Sequence, residues 1–153
     1  MNANPEFWRA MEELIATSGI VIDRPRGSRH PRHPDIVYPL DYGYLADTES
    51  GDGEGIDVWL GSGEERTLRA VLLNIDLEKR DSEIKLLLGL SEAETKAIYA
   101  FYNEYPGMKA LLIRREEDKE GGPEGRLALR TAAKRIPQGR SRDSASGRGE
   151  ADK

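Results

Sequence analysis

The sequence predicts an α+β domain, a small antiparallel barrel or curled sheet with two helices packed outside it. Short apolar stretches of two-residue period alternate with turns rich in glycine and proline, which is typical of consecutive short strands. Two longer stretches have helical periodicity, one near the amino terminus and one before the last strand. With 153 residues and 37% hydrophobic content, the chain is long enough for one such domain and too short for two large ones.

The two helices have recognisable starts. Asn4 followed by Pro5 is typical of an N-cap and a first helical position. The apolar positions that follow have helical spacing up to Gly19: Phe7, Met11, Leu14 and Ile15. Ser91 and Glu94 form a capping box that predicts the start of the second helix. The apolar face of that helix is predicted from Ala97, Ile98, Phe101, Tyr102 and Tyr105.

Strands are predicted for the segments 20–23, 42–46, 56–60, 67–75, 84–88 and 110–113. Between the first two of them, RPRGSRHPRHPD is predicted to be a loop, because its prolines are poorly compatible with helix or sheet. This loop holds both histidines, His30 and His33, which we expect to be exposed. No internal repeat is visible.

The folded domain is predicted to span residues 1–116, with a disordered tail at 117–153. The tail has few large apolar residues and so cannot bury enough surface to offset the entropy lost on ordering. A transient helix over 126–135 is the only regular structure expected in it. The tail carries seven acidic and nine basic residues, a net charge of +2. Because the whole chain carries −5, the predicted domain carries −7.

Composition excludes several classes of protein. The absence of cysteine rules out disulfides, thiolate catalysis and cysteine-ligated metal sites. With only two histidines, any metal would be held by oxygen ligands, which favours hard cations such as Mg²⁺. The sequence shows neither a membrane-spanning run nor a signal peptide, so we expect a cytoplasmic protein without a membrane partner.

The segment GDGEGIDVW places Asp52, Glu54 and Asp57 among three glycines. On a strand of period two, Asp57 and Trp59 lie on the face opposite Val58 and its aliphatic neighbours. The common alternative for such a segment is a solvated turn, since glycines paired with acids are frequent in hairpins. An EF-hand fits poorly, because the twelfth position counted from Asp47 is a valine.

A second acidic group occurs in NIDLEKRDSEIKLLLGL, where Asp76, Asp81, Glu83 and Lys85 lie at the ends of two predicted strands. Alone, this group would be interpreted as a charged hairpin tip. If it converges with the first group, repulsion between the carboxylates would be severe without cations. Several divalent ions held by shared carboxylates can also bind a polyanionic substrate. We therefore expect one pocket of carboxylates with a lysine.

The same residues resemble the soluble family I inorganic pyrophosphatases. YPLDYGYLADTESGDGEGIDVW is similar to the active-site segment of that family, which typically reads YPxNYGY, then a threonine and DGDPxDV. Weaker similarities are carried by VIDRPRGSRH upstream and by DLEKRDSEIKLL and AFYNEYPG downstream. The resemblance covers residues 19–114. It implies an OB-like five-stranded barrel and Mg²⁺-dependent hydrolysis of pyrophosphate to two orthophosphates.

The resemblance also implies roles for particular residues. Asp52, Asp57 and Asp76, with Asp81 or Glu83, would ligate metal. Glu54 would activate the attacking water, although the family usually has an aspartate there. Lys85 would contact phosphate, while Tyr42 and Tyr105 would hydrogen-bond the phosphate or a metal-bound water. Asp23 matches a glutamate at the edge of the family's pocket. Without the resemblance, both tyrosines would be interpreted as aromatic residues at the edge of the core.

The phosphate-binding cations differ from the family pattern. The segment between Ser28 and Tyr38 is too short for the hairpin that supplies a lysine and an arginine. Three loop arginines, Arg26, Arg29 and Arg32, are candidates to replace them, because a guanidinium binds phosphate well. The alternative interpretation is that these arginines lie on the solvated surface and bind no phosphate. Pro106 stands in place of another lysine, and Lys109 is the nearest candidate to replace it.

Two alternatives to a pyrophosphatase remain open. One is a weakened relative that binds metal and polyphosphate without turnover, which the altered base and the missing lysine favour. The other is an OB-type nucleic-acid-binding protein that uses the arginine-rich loop and the basic tail. The charge of −7 on the predicted domain disfavours a nucleic-acid partner. Pyrophosphate is the expected small-molecule partner, and a homo-oligomer stays open.

Overall fold

The computed structural model describes residues 4–51 and 53–116, which form two helices and one six-stranded sheet. The elements in chain order are α1 (Pro5–Ala16), β1 (Ile20–Arg24), β2 (Asp41–Leu45), β3 (Asp57–Leu60), β4 (Leu68–Asp76), β5 (Asp81–Leu88), α2 (Glu92–Asn103) and β6 (Met108–Arg114). This confirms the α+β class. The disordered tail and its transient helix, predicted for residues 117–153, lie outside the described residues. Neither described helix is long and apolar enough to cross a membrane.

The sheet differs from the expected five-stranded antiparallel barrel. The strand order is β1-β2-β3-β5-β4-β6, and β3 pairs with β5 in parallel. The β4–β5 hairpin reverses the chain, so that β5 runs in the same direction as β3 and pairs beside it. β4 is then free to pair with β6 along its other edge. In the part of the chain that the structure describes, β1 and β6 are the sheet's two edges and do not pair. The sheet is therefore six-stranded, mixed and open, and the barrel prediction was wrong on those points.

A helix covers each face of the sheet, and alternate residues of the central strands divide between the two faces. On the α1 face, Trp8 packs in a cluster with Val58 and Leu86. On the α2 face, Trp59 and Leu87 pack with Ile98. Neighbours in sequence thus enter opposite clusters, as the two-residue period requires. This confirms that Asp57 and Trp59 share the face opposite Val58.

The predicted helix starts are present. The Asn4 side chain accepts a hydrogen bond from the Phe7 amide at 3.2 Å. The Ser91 hydroxyl accepts one from the Glu94 amide at 3.1 Å, and the Glu94 carboxylate accepts one from the Ser91 amide at 2.8 Å. The same carboxylate accepts hydrogen bonds from the Ser62 amide and hydroxyl at 3.2 and 3.0 Å. Glu94 therefore also ties α2 to the loop that follows β3.

The contact between β1 and β2 requires a glycine. A Cβ added at Gly43 would lie 1.8 Å from the main-chain oxygen of Val21, which no relaxation of a side chain can relieve. Gly43 thereby lets Ile22 and its neighbours pair closely with the strand that carries Tyr42.

Candidate functional site

A cavity of about 500 Å³ lies on the α2 side of the sheet. The β1–β2 loop, the strands β2 to β5 and the carboxyl end of α2 all contribute to its lining. Its carboxylates are Asp35, Glu54, Asp57, Asp76, Glu78, Asp81, Glu83 and Glu104. Among the described residues, its lysines and arginines are Arg24, Lys79 and Lys85. The lining is therefore strongly acidic, with eight carboxylates against three cations.

The strand register brings the two predicted acidic groups into this one cavity. Asp57 on β3 pairs with Lys85 on β5. Asn74 pairs with Glu83, and Asp76 pairs with Asp81, across the β4–β5 hairpin. Directly opposed residues of antiparallel strands have Cβ atoms only about 4.5–5.5 Å apart. Segments nearly thirty residues apart in sequence therefore place their acids on one surface.

Lys85 lies at the centre of this surface and is 5% exposed. Its ammonium donates to a carboxylate oxygen of Asp57 at 2.6 Å and to one of Glu83 at 2.5 Å. It also donates to the Tyr42 hydroxyl at 3.1 Å. A lysine has three N–H donors, so all of them are occupied by these side chains. In this arrangement Lys85 is the counter-ion of two carboxylates, and a phosphate could reach its donors only by displacing one of them.

The protonation states follow from this contact. Burial alone would lower the pKa of Lys85, but the neighbouring Tyr42, Asp57 and Glu83 groups outweigh that effect and raise the pKa well above its ordinary value. Burial raises the pKa of the Tyr42 hydroxyl well above its ordinary value, and the Lys85 charge offsets this only in part. At neutral pH, Lys85 is therefore a cation and Tyr42 a neutral phenol that can still donate a hydrogen bond.

Other predicted site residues also line the cavity. Glu54 and Tyr105 reach it from the β2–β3 loop and from the end of α2. Asp76 closes β4, where one carboxylate oxygen accepts hydrogen bonds from the amides of Glu78 and Lys79 at 2.9 and 3.0 Å. Asp76 is 9% exposed and lines the cavity. Asp81 is the partner of Asp76 across the hairpin.

Several predicted residues lie elsewhere or cannot be placed. Asp52 is outside the described residues, and Asp23 on β1 is not part of the cavity lining. The three loop arginines are exposed and also lie outside the lining. The Arg29 guanidinium, for example, donates to the main-chain oxygen of Pro34 at 2.8 Å. Lys109 donates to the main-chain oxygen of Asn103 at 2.8 Å. Among the described residues, the structure thus brings five of the predicted acids and Lys85 into one cavity, but neither the loop arginines nor Lys109.

The donor set has the chemistry of a Mg²⁺ site without its geometry. Carboxylate oxygens are the ligands that Mg²⁺ takes in proteins. Among residues 4–51 and 53–116, however, no three histidine, aspartate or glutamate side chains are grouped so as to hold one ion between them. Two of the central carboxylates, Asp57 and Glu83, are occupied by Lys85. The described residues therefore form no ready-made metal centre.

Sequence reasoning missed several residues of the cavity. The expectation that His30 is exposed was wrong, since it is 7% exposed and lines the cavity. Its Nδ1 accepts hydrogen bonds from the amides of Arg32 and His33 at 3.1 and 3.2 Å, which fold the loop around the ring. Nothing periodic in a loop sequence signals such a contact. Arg24 also lines the cavity, and its pairing with Tyr42 at the end of β1 is visible only in the structure.

The folds of solved inorganic pyrophosphatases are similar to this one. The enzyme from Neisseria gonorrhoeae has a TM-score of 0.50 at 16% identity, over 79% of this chain and 92% of that chain. The enzyme from Coxiella burnetii has a TM-score of 0.48 at 17% identity, over 73% and 92% of the two chains. The enzyme from Helicobacter pylori has 0.47 at 19% identity, over 78% and 95%. At such identities the likeness concerns the fold alone. No protein-family model and no curated protein sequence matches the chain.

Proposed function

We propose that this chain hydrolyses the phosphoanhydride bond of inorganic pyrophosphate in the presence of Mg²⁺. The observation that carries the proposal is the convergence of Asp57, Glu83, Lys85 and Tyr42 in one cavity, through the register of β3 with β5. The pyrophosphatase-like fold supports it. The sequence resemblance points to the same residues.

Charge determines the form in which pyrophosphate would enter. The described residues of the lining, with eight carboxylates and three cations, repel a free polyanion. Bound Mg²⁺ would neutralise part of the charge on the substrate and polarise its phosphoryl oxygens. The residues that would hold it are Asp57, Asp76 and Glu83, joined by Asp52 and Asp81. Because Lys85 already contacts two of these acids, the cavity carries a resident cation before any metal binds.

The chain's own side chains would then have distinct roles. Glu54 is proposed to accept the proton of the attacking water. Tyr42, which remains a neutral phenol, would donate a hydrogen bond to a phosphoryl oxygen. Lys85 would orient the two carboxylates it contacts and stabilise negative charge that develops beside them. Tyr105 would contact the substrate from the end of α2.

Phosphate release from pyrophosphate tests the proposal. We expect Mg²⁺-dependent release by the unmodified chain and a loss of about 100-fold or more in Asp57→Asn, which removes a charged member of the site. Glu65→Gln is the matched control, because Glu65 is an exposed acid outside the cavity and its replacement should leave the rate unchanged. Thermal melts of both variants separate loss of chemistry from loss of fold. Equal rates in Asp57→Asn and Glu65→Gln would contradict the proposal.

A second candidate is a module that binds Mg²⁺ and polyphosphate without turnover. The observation that favours it is that all donors of Lys85 are occupied and that Arg29 and Lys109 bind main-chain oxygens instead of lining the cavity. Calorimetry would distinguish the two candidates. Mg²⁺-dependent pyrophosphate binding without phosphate release would favour the binding module.

A further inference from the structure

We propose that the cavity accepts a nucleoside diphosphate, with the phosphoanhydride beside β3 and β5 and the base beside the β1–β2 loop and the end of α2. This inference rests on the proposed function and extends it to a class of organic substrate. In the reaction, a water oxygen bonds to the terminal phosphorus while the bond from that phosphorus to the bridging oxygen breaks. The bridging oxygen keeps the electron pair and leaves as nucleoside monophosphate. Glu54 takes one proton of the water, and the terminal phosphorus leaves as orthophosphate.

The size of the cavity supports a substrate larger than pyrophosphate. Its volume is about 500 Å³. Pockets that enclose drug-sized molecules have volumes of roughly 300–1,000 Å³. Pyrophosphate consists of two phosphate groups that share one oxygen, so it occupies only a small part of such a space even with bound ions. A nucleoside attached to the second phosphate would fill the remainder.

The chemistry of the lining changes from one part of the cavity to another. The strands β3 to β5 contribute carboxylates and Lys85. The β1–β2 loop and the end of α2 contribute mainly rings and aliphatic groups, including His33, Val37 and Tyr105. Among the described residues, segments 29–37 and 104–108 contribute neither lysine nor arginine to the lining. These two segments offer a second free phosphate no counter-charge of their own, whereas an uncharged planar group would find contact surface. The guanidinium carbon of Arg24 on β1 lies 5.4 Å from the Tyr38 ring centroid.

A continuous series of ring contacts joins the two parts. Starting at the Lys85 ammonium, which lies 5.6 Å from the first ring centroid, the rings are those of Tyr42, Tyr38, His30, His33 and Tyr105. Successive centroids along this series are 5.7, 6.4, 5.0 and 6.4 Å apart. Tyr38 and His30 are buried, but His33 and Tyr105 are only partly buried. His33 and Tyr105 are therefore accessible in part to a ligand in the cavity.

Polar groups among these rings favour a nucleobase over a hydrocarbon chain. The hydroxyl of Tyr105 and the imidazole of His33 can hydrogen-bond the edge of a base. Carboxylates at the same end, Asp35 and Glu104, can accept hydrogen bonds from its exocyclic amine. Stacking on aromatic side chains suits every base, because each has a π face. A hydrocarbon tail would instead leave these polar groups desolvated without partners.

Calorimetry in the presence of Mg²⁺ tests this inference with two non-hydrolysable probes. The probes are methylenebisphosphonate, which mimics pyrophosphate, and the α,β-methylene analogue of ADP. We expect the ADP analogue to bind about tenfold more tightly to the unmodified chain, because stacking adds to the contact of the phosphates. His33→Ala and Val37→Gln should each weaken binding of the ADP analogue by about fivefold or more. Neither should change bisphosphonate binding more than about twofold.

Val21→Gln is the matched control for Val37→Gln, because both valines are exposed, at 39% and 43%, and only Val37 lines the cavity. Tighter or equal binding of the bisphosphonate would overturn the nucleoside inference and leave the pyrophosphatase proposal standing. If His33→Ala weakened the binding of both probes equally, the nucleoside inference would likewise be overturned and the pyrophosphatase proposal would stand. If neither probe binds, the proposed function fails and this inference fails with it. The comparison of the two probes on the unmodified chain holds even if a variant does not fold.

Discussion

Replacement of Lys85 by methionine removes a cation that contacts both Asp57 and Glu83 and keeps a side chain of similar length. The exposed fractions of the three side chains are 7%, 12% and 16%, so water can compensate little of the lost contact. In the variant, two carboxylates on adjacent strands lose the counter-ion that they share beside the Tyr42 hydroxyl. We expect this variant to be strongly destabilised in the absence of divalent cations.

The magnitude follows from the distances. At 2.6 and 2.5 Å, each Lys85–carboxylate contact has a Coulomb energy of about 6 kcal/mol if the effective dielectric constant is about 20. Desolvation of the buried charges offsets most of this attraction. Deletion of one partner from a buried ion pair therefore costs about 3–5 kcal/mol. Since domains of this kind are stable by about 5–15 kcal/mol, Lys85→Met should lose a large part of its free energy of unfolding.

Urea denaturation at neutral pH, followed by circular dichroism, measures this loss. Lys96→Met is the matched control, because Lys96 is an exposed lysine of α2 outside the cavity, and we expect it to change the free energy of unfolding by less than about 0.5 kcal/mol. Saturating Mg²⁺ should restore part of the lost stability in Lys85→Met. A cation present at 100 times its Kd stabilises a folded protein by about 2.7 kcal/mol if it binds only that state.

Two results would refute the reasoning. A loss below about 1 kcal/mol in Lys85→Met would show that the ion pairs are solvated and that Lys85 is not a needed counter-ion. Failure of saturating Mg²⁺ to stabilise Lys85→Met would show that the carboxylates freed by the substitution do not bind the cation.

Three further predictions concern residues that stabilise the fold around the cavity. Partial burial alone would raise the pKa of Glu94, but hydrogen bonds from Ser91 and Ser62 outweigh it and lower the pKa below its ordinary value of 4.5. The stability that the charged Glu94 contributes is therefore complete above pH 4.5 and is lost as the pH falls through the lowered pKa of the folded state. The difference in free energy of unfolding between the unmodified chain and Glu94→Gln should therefore be constant near neutral pH and shrink in acid. Tyr102→Phe leaves the buried indole N–H of Trp59 without its acceptor at 2.9 Å and should cost about 1–3 kcal/mol in urea denaturation. Gly43→Ala should lower the melting temperature strongly because of the clash with β1, whereas Gly51→Ala, where no atom lies within 4 Å of the added Cβ, should change it little.

Each of these has a contradicting outcome. A Glu94→Gln difference that does not change with pH would mean that the charge of Glu94 is unimportant to its contacts. A fully stable Tyr102→Phe would mean that the Trp59 donor finds another acceptor. Equal melting temperatures of Gly43→Ala and Gly51→Ala would contradict the close approach of β1 and β2.

The amino-acid sequence by itself determined the local structure and several of the acids that line the cavity. The Asn4 cap, the Ser91–Glu94 capping box and the positions of the six strands were predictable, because they depend on side chains a few residues apart. The alternation that places Asp57 opposite Val58 was predictable for the same reason. Those patterns also predicted an acidic cavity, since acids at the ends of strands on one face of a sheet meet when the strands pair.

Only the tertiary structure decided which strands pair and what each side chain contacts. The parallel pairing of β3 with β5, which opens the expected barrel, joins segments whose sequences contain no record of their partner. The burial of His30, the three acceptors of Lys85 and the exclusion of the loop arginines from the cavity depend on the same long-range arrangement. Local preferences act over a few residues, whereas strand order and the environment of a charge are set by how the whole chain buries its apolar surface.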